Sequence, residues 1–330
     1  MKASQQTLDW LLESDPSLKW QVERDLVGAP TEVWHSTKVR TGFEGYGAVV
    51  LSVQDPDGQW AGGAYFPTRA EPRALVREGD ESGQPFIATT WSLKDLREWG
   101  VDAKLLGDTA ERLRAICKWE YKDLPYWDGE VDVCINAFTI ATGAWLGMDM
   151  TKNAEWFLEH QLADGGWNCE WVEGSTRSSF HSTLNALVGL LNYEKIVGKD
   201  AAITAARKRA EEYLLERKLM FGLQNRELLA DWVTEFTYPF RWRYSTLRAL
   251  DYFREACLFD ETKPDARLID AVARVKAAET STQRWLNQHH QKGSIWVETD
   301  VAVGEESKWL TFYALRVLDW WEAESEGLVN

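Results

Sequence analysis

The sequence predicts an all-α protein whose helices form a ring of six outer–inner hairpins around a central cavity, an (α/α)6 toroid. Two observations lead to this fold class. Apolar residues recur with a period near 3.6 through most of the chain, whereas sustained alternation with period 2 is hard to find. A short loop element also recurs between predicted helices, which is typical of repeat architectures. With 330 residues, 45% of them hydrophobic, we expect one toroidal domain spanning residues 1–330.

The recurring loop element reads Q-x-x-D-G-x-W. It occurs at residues 54–60 and 161–167, and a degraded third copy is predicted at residues 290–296. Each copy follows a helical pattern and is followed by a second, more apolar helix. The element therefore predicts a connection that leads from an outer helix to an inner helix.

Six apolar segments are predicted to be the inner helices of the ring. They are residues 18–26, 87–99, 133–146, 180–193, 241–256 and 308–322. More polar helices, including residues 105–121 and 202–218, are predicted to form the outer layer. In a closed ring every outer-to-inner loop opens at the same end, so residues far apart in sequence gather there. The alternative is an open α-solenoid, although its repeats would have more regular loop lengths.

The composition narrows the classes of partner. Aspartate and glutamate number 52 against 37 lysines and arginines, a formal net charge of −15, which repels the phosphate backbone of nucleic acids. No apolar run reaches the roughly 18 residues of a membrane span, and the first residues lack the features of a signal peptide. We therefore expect a cytoplasmic protein with no nucleic-acid partner, and its four cysteines are expected to be free thiols.

The pattern Trp156-Phe157-x3-Gln161-x3-Gly165-x-Trp167 resembles the QW motif of squalene and oxidosqualene cyclases. In physical terms the glutamine can bond the free backbone groups at a helix end, while the tryptophan packs on the neighbouring hairpin. This resemblance therefore supports the fold more than it supports a reaction.

A second resemblance is to protein prenyltransferase β subunits. The segments that carry it are Val131-Asp132-Val133-Cys134 and Phe180-His181-Ser182-Thr183, with Leu187, Gly189 and Leu190 downstream. They are similar to the V-D-x-C and F/Y-H-T-x3-L-x-G-L segments of that family. The resemblance implies the terpenoid-cyclase/protein-prenyltransferase superfamily, in a bacterial squalene-cyclase-like branch. It also implies a catalytic zinc ion bound by Asp132, Cys134 and His181.

The chain departs from both families in residues that matter for their reactions. Tyr126 and Gly129 stand where the prenyltransferases have basic residues that hold the isoprenoid diphosphate. The D-x-D-D acid of squalene cyclases does not occur, and the chain is long enough for one toroid only. Neither family's reaction can therefore be transferred whole.

The predicted catalytic residues are Asp132, Cys134, Cys169 and His181, because all four fall at or near outer-to-inner loops. A carboxylate, an imidazole and a thiolate with one open position form a plausible site for zinc, the candidate cofactor, and either cysteine could complete it. Metal-free chemistry is the alternative, with Asp132 as general acid or a cysteine paired with His181. Purely structural roles, as small core residue and helix cap, are a third interpretation.

The predicted substrate-binding residues combine aromatic rings with arginines. They are Trp60, Trp127, Trp167, Arg177, Arg241, Trp242 and Tyr244. Aromatic faces bind apolar chains and stabilise carbocations, and arginines suit a phosphate or carboxylate head group. Core packing and ordinary ion pairing are the respective alternatives.

Together these features favour an enzyme that acts on a small apolar or isoprenoid substrate by prenyl transfer, cyclisation or isomerisation. One alternative is a carbohydrate-active toroid, a lyase or hydrolase, for which paired carboxylates and an open aromatic groove would be needed. Another is a non-catalytic protein that carries a lipid or binds a partner protein with one face of the ring.

Overall fold

A computed structural model describes residues 3–325 of the chain, and these residues are mostly α-helical, as the sequence predicts. The α-helices are α1 (Gln5–Leu12), α2 (Pro16–Val22), α3 (Thr31–Arg40), α4 (Gly45–Leu51), α5 (Thr89–Trp99), α6 (Thr109–Ile116), α7 (Val133–Trp145), α8 (Thr151–Glu159), α9 (Phe180–Val197), α10 (Ala201–Leu215), α11 (Thr246–Asp260), α12 (Ile269–Ala277) and α13 (Lys308–Glu324). A π-helical turn, Glu23–Val27, continues α2. Two short strands, β1 (Trp285–Leu286) and β2 (Glu306–Ser307), pair antiparallel.

The six segments predicted as inner helices correspond to α2 with its π-helical turn, α5, α7, α9, α11 and α13. The largest difference is in α11, which begins at Thr246 and not at Arg241. Ser245 has an extended backbone and its hydroxyl accepts a hydrogen bond from the Arg248 backbone nitrogen, which fixes the start of the helix. The predicted outer helix 105–121 is shorter than expected, because Cys117 is already extended.

The inner helices contact one another in chain order. Helix α5 packs on α7, α7 on α9, α9 on α11, and α11 on α13, while α13 also contacts the π-helical turn that follows α2. At the remaining junction the indole nitrogen of Trp20 in α2 donates a 2.9 Å hydrogen bond to the carbonyl oxygen of Trp99, the last residue of α5. Helix α12 packs against α11 and α13, whereas α8 packs against α7, α10 packs against α9, and α8 and α10 pack against each other.

The repeated loop element has the same hydrogen bonds in three places. In each copy the tryptophan is fully buried, and its indole nitrogen donates to the carbonyl oxygen ten residues earlier. The pairs are Trp60 with Val50 (2.8 Å), Trp167 with Phe157 (2.9 Å) and Trp285 with Val275 (2.8 Å). The backbone nitrogen of each tryptophan donates to a threonine hydroxyl of the next inner helix, at Thr89, Thr183 and Thr311 respectively. The element therefore locks each outer helix to its inner partner.

The third copy ends at Trp285, so the predicted copy ending at Trp296 is wrong. Gln283 stands at the position that Gly58 and Gly165 occupy in the other two loops, and all three residues have positive φ values, of 59°, 92° and 96°. A search that required glycine at this position could not find the loop. Trp296 instead donates its indole hydrogen bonds at the start of α5.

Side chains at the first residues of the inner helices define where the candidate site lies. Asp132 is the N-cap of α7 and accepts hydrogen bonds from the backbone nitrogens of Cys134 (2.8 Å) and Ile135 (3.3 Å). Ser179 caps α9 in the same way. These caps satisfy the free N–H groups of the first helical turn, and they place both helix starts side by side, since α7 and α9 pack closely.

Among residues 3–325, no helix combines the length and the hydropathy that crossing a lipid bilayer requires.

Candidate metal and thiol site

Asp132, Cys134 and Cys169 bring three potential ligand atoms together at the start of α7. One carboxylate oxygen and the two sulfur atoms all lie within 4.8 Å of one another. The Cys169 thiol donates to Asp132 Oδ1 at 2.9 Å, and the two sulfur atoms are 3.5 Å apart. Within residues 3–325 this is the only group of three or more His, Cys, Asp or Glu residues so arranged.

The loop after the second Q-x-x-D-G-x-W element positions Cys169. Cys169 is the first residue of a 3₁₀ turn, Cys169–Glu173, and it lies two residues after the buried Trp167. The backbone nitrogen of Cys169 donates to the Ser182 hydroxyl at 3.1 Å, and the indole nitrogen of Trp171 donates to the Val131 carbonyl oxygen at 2.8 Å. The turn is therefore fastened to the starts of both α7 and α9, which holds Cys169 over Cys134.

Ser182 and Asn185 of α9 supply hydrogen bonds to the two sulfur atoms. Ser182 Oγ donates to Cys169 Sγ at 3.1 Å, and Asn185 Nδ2 lies 3.2 Å from Cys134 Sγ. Donors of this kind orient metal ligands and stabilise thiolate charge. Sequence reasoning missed both residues, although their spacing of three places them on the same face of the helix.

In the group of ligand atoms, Cys169 stands with Asp132 and Cys134 in the place where the sequence predicts His181. The Nδ1 atom of His181 accepts a 2.9 Å hydrogen bond from the Tyr244 backbone nitrogen, and its ring stacks on Trp232 with centroids 4.4 Å apart. The physical reason is helical geometry. Consecutive residues of α9 point about 100° apart, so it is Ser182 that contacts Cys169.

Burial determines the protonation of these groups. The pKa of the Cys134 thiol is raised well above its ordinary value by its contact with Cys169, by burial and by the nearby Asp132 carboxylate. Burial, with the cations of Arg248 and Arg243, lowers the pKa of His181 to about 4. At neutral pH and without a cation, Cys134 is therefore a thiol and His181 is an uncharged hydrogen-bond acceptor.

The donor set could hold a metal ion. Two thiols and one carboxylate are ligands that Zn²⁺ binds in proteins, and three protein ligands leave the fourth position of a tetrahedral site for water or substrate. A bound divalent cation also reverses the effect of burial on a thiol, because it favours the deprotonated form. The three residues could thus hold a metal, with Ser182 and Asn185 as supporting donors.

An aromatic cluster adjoins this site. Trp91 of α5 contacts Tyr65, Phe86 and Phe138, with ring centroids 4.9, 5.0 and 5.5 Å apart. Burial raises the pKa of Tyr65, and the charges of the three potential ligands raise it further. The indole nitrogen of Trp91 is buried and has no hydrogen-bond partner within residues 3–325.

Several residues predicted to bind substrate are buried and hydrogen-bonded within the protein. Trp60, Trp167 and Tyr244 are fully buried, and the Tyr244 hydroxyl donates to the Leu219 carbonyl oxygen at 2.7 Å. Trp127 is also buried and donates its indole hydrogen bond to the Ala110 carbonyl oxygen at 2.9 Å. For these side chains the contacts favour the packing interpretation.

The two predicted arginines and Trp242 differ from one another in placement. Arg241 is buried and its guanidinium group donates to both oxygens of Asp95, at 2.7 and 2.8 Å. Arg177 is exposed, and Trp242 is partly exposed with its ring centroid 5.3 Å from that of His181. A cavity of about 300 Å³ lies among the inner helices, and none of the seven residues predicted to bind substrate lines it.

No protein-family model matches this chain, and no curated protein matches it. Any function assigned to the chain therefore rests on the geometry of its described residues.

Proposed function

We propose that this protein is a zinc-binding enzyme with an (α/α)6 toroidal fold that acts on an apolar, isoprenoid-like substrate. The observation that carries the proposal is the approach of Asp132, Cys134 and Cys169, whose potential ligand atoms lie within 4.8 Å of one another. The residues of this group are up to 37 positions apart in sequence. A ring in which all outer-to-inner loops open at one end would bring such distant residues together.

The order of helix contacts supports the toroid. From α5 to α13, each inner helix contacts the next one along the chain, and α13 contacts the turn that follows α2. The hydrogen bond from Trp20 to Trp99 joins α2 to α5. Such a circuit of contacts is expected of a closed ring and not of an open solenoid, whose first and last repeats do not meet.

The residues around the zinc position have distinct roles in this proposal. Asp132, Cys134 and Cys169 would hold the ion, while Ser182 and Asn185 would orient the two sulfur atoms. When bound, zinc supplies a Lewis acid that lowers the pKa of a water molecule or thiol at the open position. Asp132 is fixed for this task by its N-cap hydrogen bonds.

The aromatic cluster of Tyr65, Phe86, Trp91 and Phe138 is the proposed contact surface for the substrate. Its rings offer apolar area for a hydrocarbon chain, and their faces would stabilise a developing cation in prenyl transfer, cyclisation or isomerisation. The indole nitrogen of Trp91 has no hydrogen-bond partner within residues 3–325. This polar group could therefore fix the orientation of a bound molecule.

Metal analysis of protein purified without chelators tests the zinc site. We expect about one zinc ion per chain, and Cys134→Ser and Cys169→Ser are each expected to weaken zinc binding by at least about 100-fold, because loss of a ligand exceeds the cost of losing a supporting donor. His181→Asn should keep the metal. Cys257→Ser is the matched control, since Cys257 is a free thiol outside the ligand group. A wild-type protein that binds no zinc, or a His181 variant that loses it while Cys169→Ser keeps it, would refute the assignment.

Binding of farnesol, followed by tryptophan fluorescence, tests the substrate class separately. Tyr65→Ala is expected to weaken binding about tenfold, because a large aromatic contact is lost. Tyr121→Ala removes an exposed tyrosine and should have no effect. Absence of binding by the zinc-loaded wild-type protein would exclude an isoprenoid substrate without affecting the metal site.

A further inference from the structure

A cavity of about 300 Å³ lies among the inner helices and reaches from Arg248, in the first turn of α11, to the end of α7 that is remote from the thiol site. Helix α7 shows the separation: Asp132 and Cys134 stand at its start, whereas Trp145, its last residue, lines the cavity. The axial rise between Val133 and Trp145 is about 18 Å. Further lining residues come from α2, from the later parts of α5 and α9, and from α11 and α13.

The charge of this cavity is opposite to that of the chain. Six cationic side chains line it against three carboxylates, although the whole chain carries a net charge of −15. The cations are Arg24, Lys38, Arg97, Lys195, Arg248 and Arg316, and the carboxylates are Glu98, Asp251 and Glu255. A concave surface with excess positive charge attracts anions.

Some of these cations are neutralised within the protein. Arg316 forms ion pairs with Asp251 (2.7 Å) and Asp25 (3.0 Å), and Lys195 pairs with Glu255 at 2.5 Å. Their charges are therefore compensated without a ligand.

Arg248 and Arg97 are not compensated in the same way. Arg248 is buried, and the hydrogen bonds of its guanidinium group go to two uncharged oxygens, the Arg243 carbonyl (3.0 Å) and Asn185 Oδ1 (2.7 Å). The side chain of Arg97 is 10% exposed, and its ion pair with Glu98 is long, at 3.5 Å. Its Nε is buried and has no hydrogen-bond partner within residues 3–325. Two largely buried guanidinium groups thus have donors available on one cavity.

The rest of the cavity wall is largely apolar. Trp20, Trp145, Val188, Leu191 and Phe240 line it, together with the rings of two tyrosines. A buried cation whose charge is not fully matched by a carboxylate is costly unless an anion comes to it, and a guanidinium group matches the geometry of carboxylate and phosphate. We propose that this cavity binds a small molecule with a carboxylate or phosphate group on an apolar body, and that Arg97 and Arg248 hold the anionic group.

Anion binding in this cavity does not depend on zinc or on the substrate of the thiol site. It differs from the sequence-based expectation, in which Arg177 and Arg241 would bind an anionic head group. Arg241 is already paired with Asp95, and neither residue lines the cavity.

Isothermal titration calorimetry of the full chain tests the proposal, with EDTA in the buffer so that bound zinc cannot account for anion binding. The probes are hexyl phosphate, hexanoate, inorganic phosphate and hexanol. We expect at least one of the two amphiphilic anions to bind more tightly than inorganic phosphate, and hexanol not to bind, because both the charge and the apolar body contribute. The better of the two anions identifies the head group.

Arg97→Gln and Arg248→Gln are expected to weaken binding of that anion by about tenfold or more, as loss of a charge-assisted hydrogen bond does. Arg114→Gln, which changes an exposed arginine on the outer helix α6, is the matched control. If Arg248→Gln does not fold, as judged by circular dichroism, Arg97→Gln alone decides. The proposal is overturned if neither amphiphilic anion binds at millimolar concentration, or if Arg97→Gln binds as tightly as the wild type.

Discussion

The thiol site and the arginine-lined cavity bury polar groups in different ways. In the thiol site, Asp132, Cys134 and Cys169 hydrogen-bond to one another and to backbone nitrogens, and the raised pKa of the Cys134 thiol keeps that group protonated. In the cavity, Arg97 of α5 and Arg248 of α11 keep a positive charge that no proton transfer removes. Under the two proposals above, the thiol site would exchange protons for a cation, whereas the cavity would take up an anion from solution.

Asn185 connects the two regions. Its Nδ2 lies 3.2 Å from Cys134 Sγ and donates to backbone carbonyl oxygens of His181 and Trp242, while its Oδ1 accepts from Arg248 at 2.7 Å. One buried amide therefore satisfies groups at the thiol site and at the arginine-lined cavity. Changes at this position test whether the two regions are coupled.

The largest effect is expected for Asn185→Ala, which should lower the free energy of unfolding by about 3 kcal/mol. The substitution leaves a buried Arg248 N–H group and two carbonyl oxygens without their partner. Urea unfolding followed by circular dichroism measures the change.

Asn192→Ala is the matched control for Asn185→Ala. It lies on the same helix, is partly exposed and donates a single hydrogen bond, to the Val188 carbonyl oxygen, so we expect a change below about 1 kcal/mol. Equal stabilities of the two variants would show that Asn185 does not hold the two regions together.

Acidification is expected to have a smaller effect, because protonation of His181 should lower the free energy of unfolding by about 2 kcal/mol. Its pKa of about 4 in the folded protein lies below the unfolded value near 6.5. The unfolded state therefore binds the proton first, and stability that is complete above pH 6.5 is lost as the pH falls toward 4. Between pH 7.5 and pH 5 the wild type should lose about 2 kcal/mol more than His181→Asn, whose amide oxygen can still accept from the Tyr244 nitrogen.

Urea unfolding at the two pH values measures the effect on His181. His35→Asn, which replaces an exposed histidine, is the control and should behave like the wild type. If His181→Asn loses as much stability as the wild type, His181 is not held uncharged by burial, and it could again be considered as a ligand in the thiol site.

The helices were largely predictable because their signals are local. The apolar period identified all six inner helices, and the cap residues Asp132 and Ser179 stand where helices α7 and α9 begin. The third loop element was missed because Gln283 takes a positive φ that the other copies give to glycine. There the surrounding hydrogen bonds, and not the residue type, determine the backbone conformation.

The candidate site was predictable only in part. Asp132, Cys134 and Cys169 were expected at one end of the fold and do lie together, but sequence spacing could not tell which residue of the pair His181 and Ser182 would contact them. A rotation of about 100° between neighbours on a helix decides this, and the rotation depends on how α9 packs. The hydrogen bond from Tyr244 holds His181 away from the sulfur atoms.

By itself, the sequence determined the helical class and the alternation of apolar and polar helices. It also determined the first two copies of the Q-x-x-D-G-x-W element and the residues from which a metal site could form. These follow from periodicity, capping and residue chemistry, which act over a few residues. Only the tertiary structure decided that Cys169 joins Asp132 and Cys134, and that Arg97 and Arg248 line a common cavity. Such contacts join residues from separate helices, and the packing of those helices sets the distances between them.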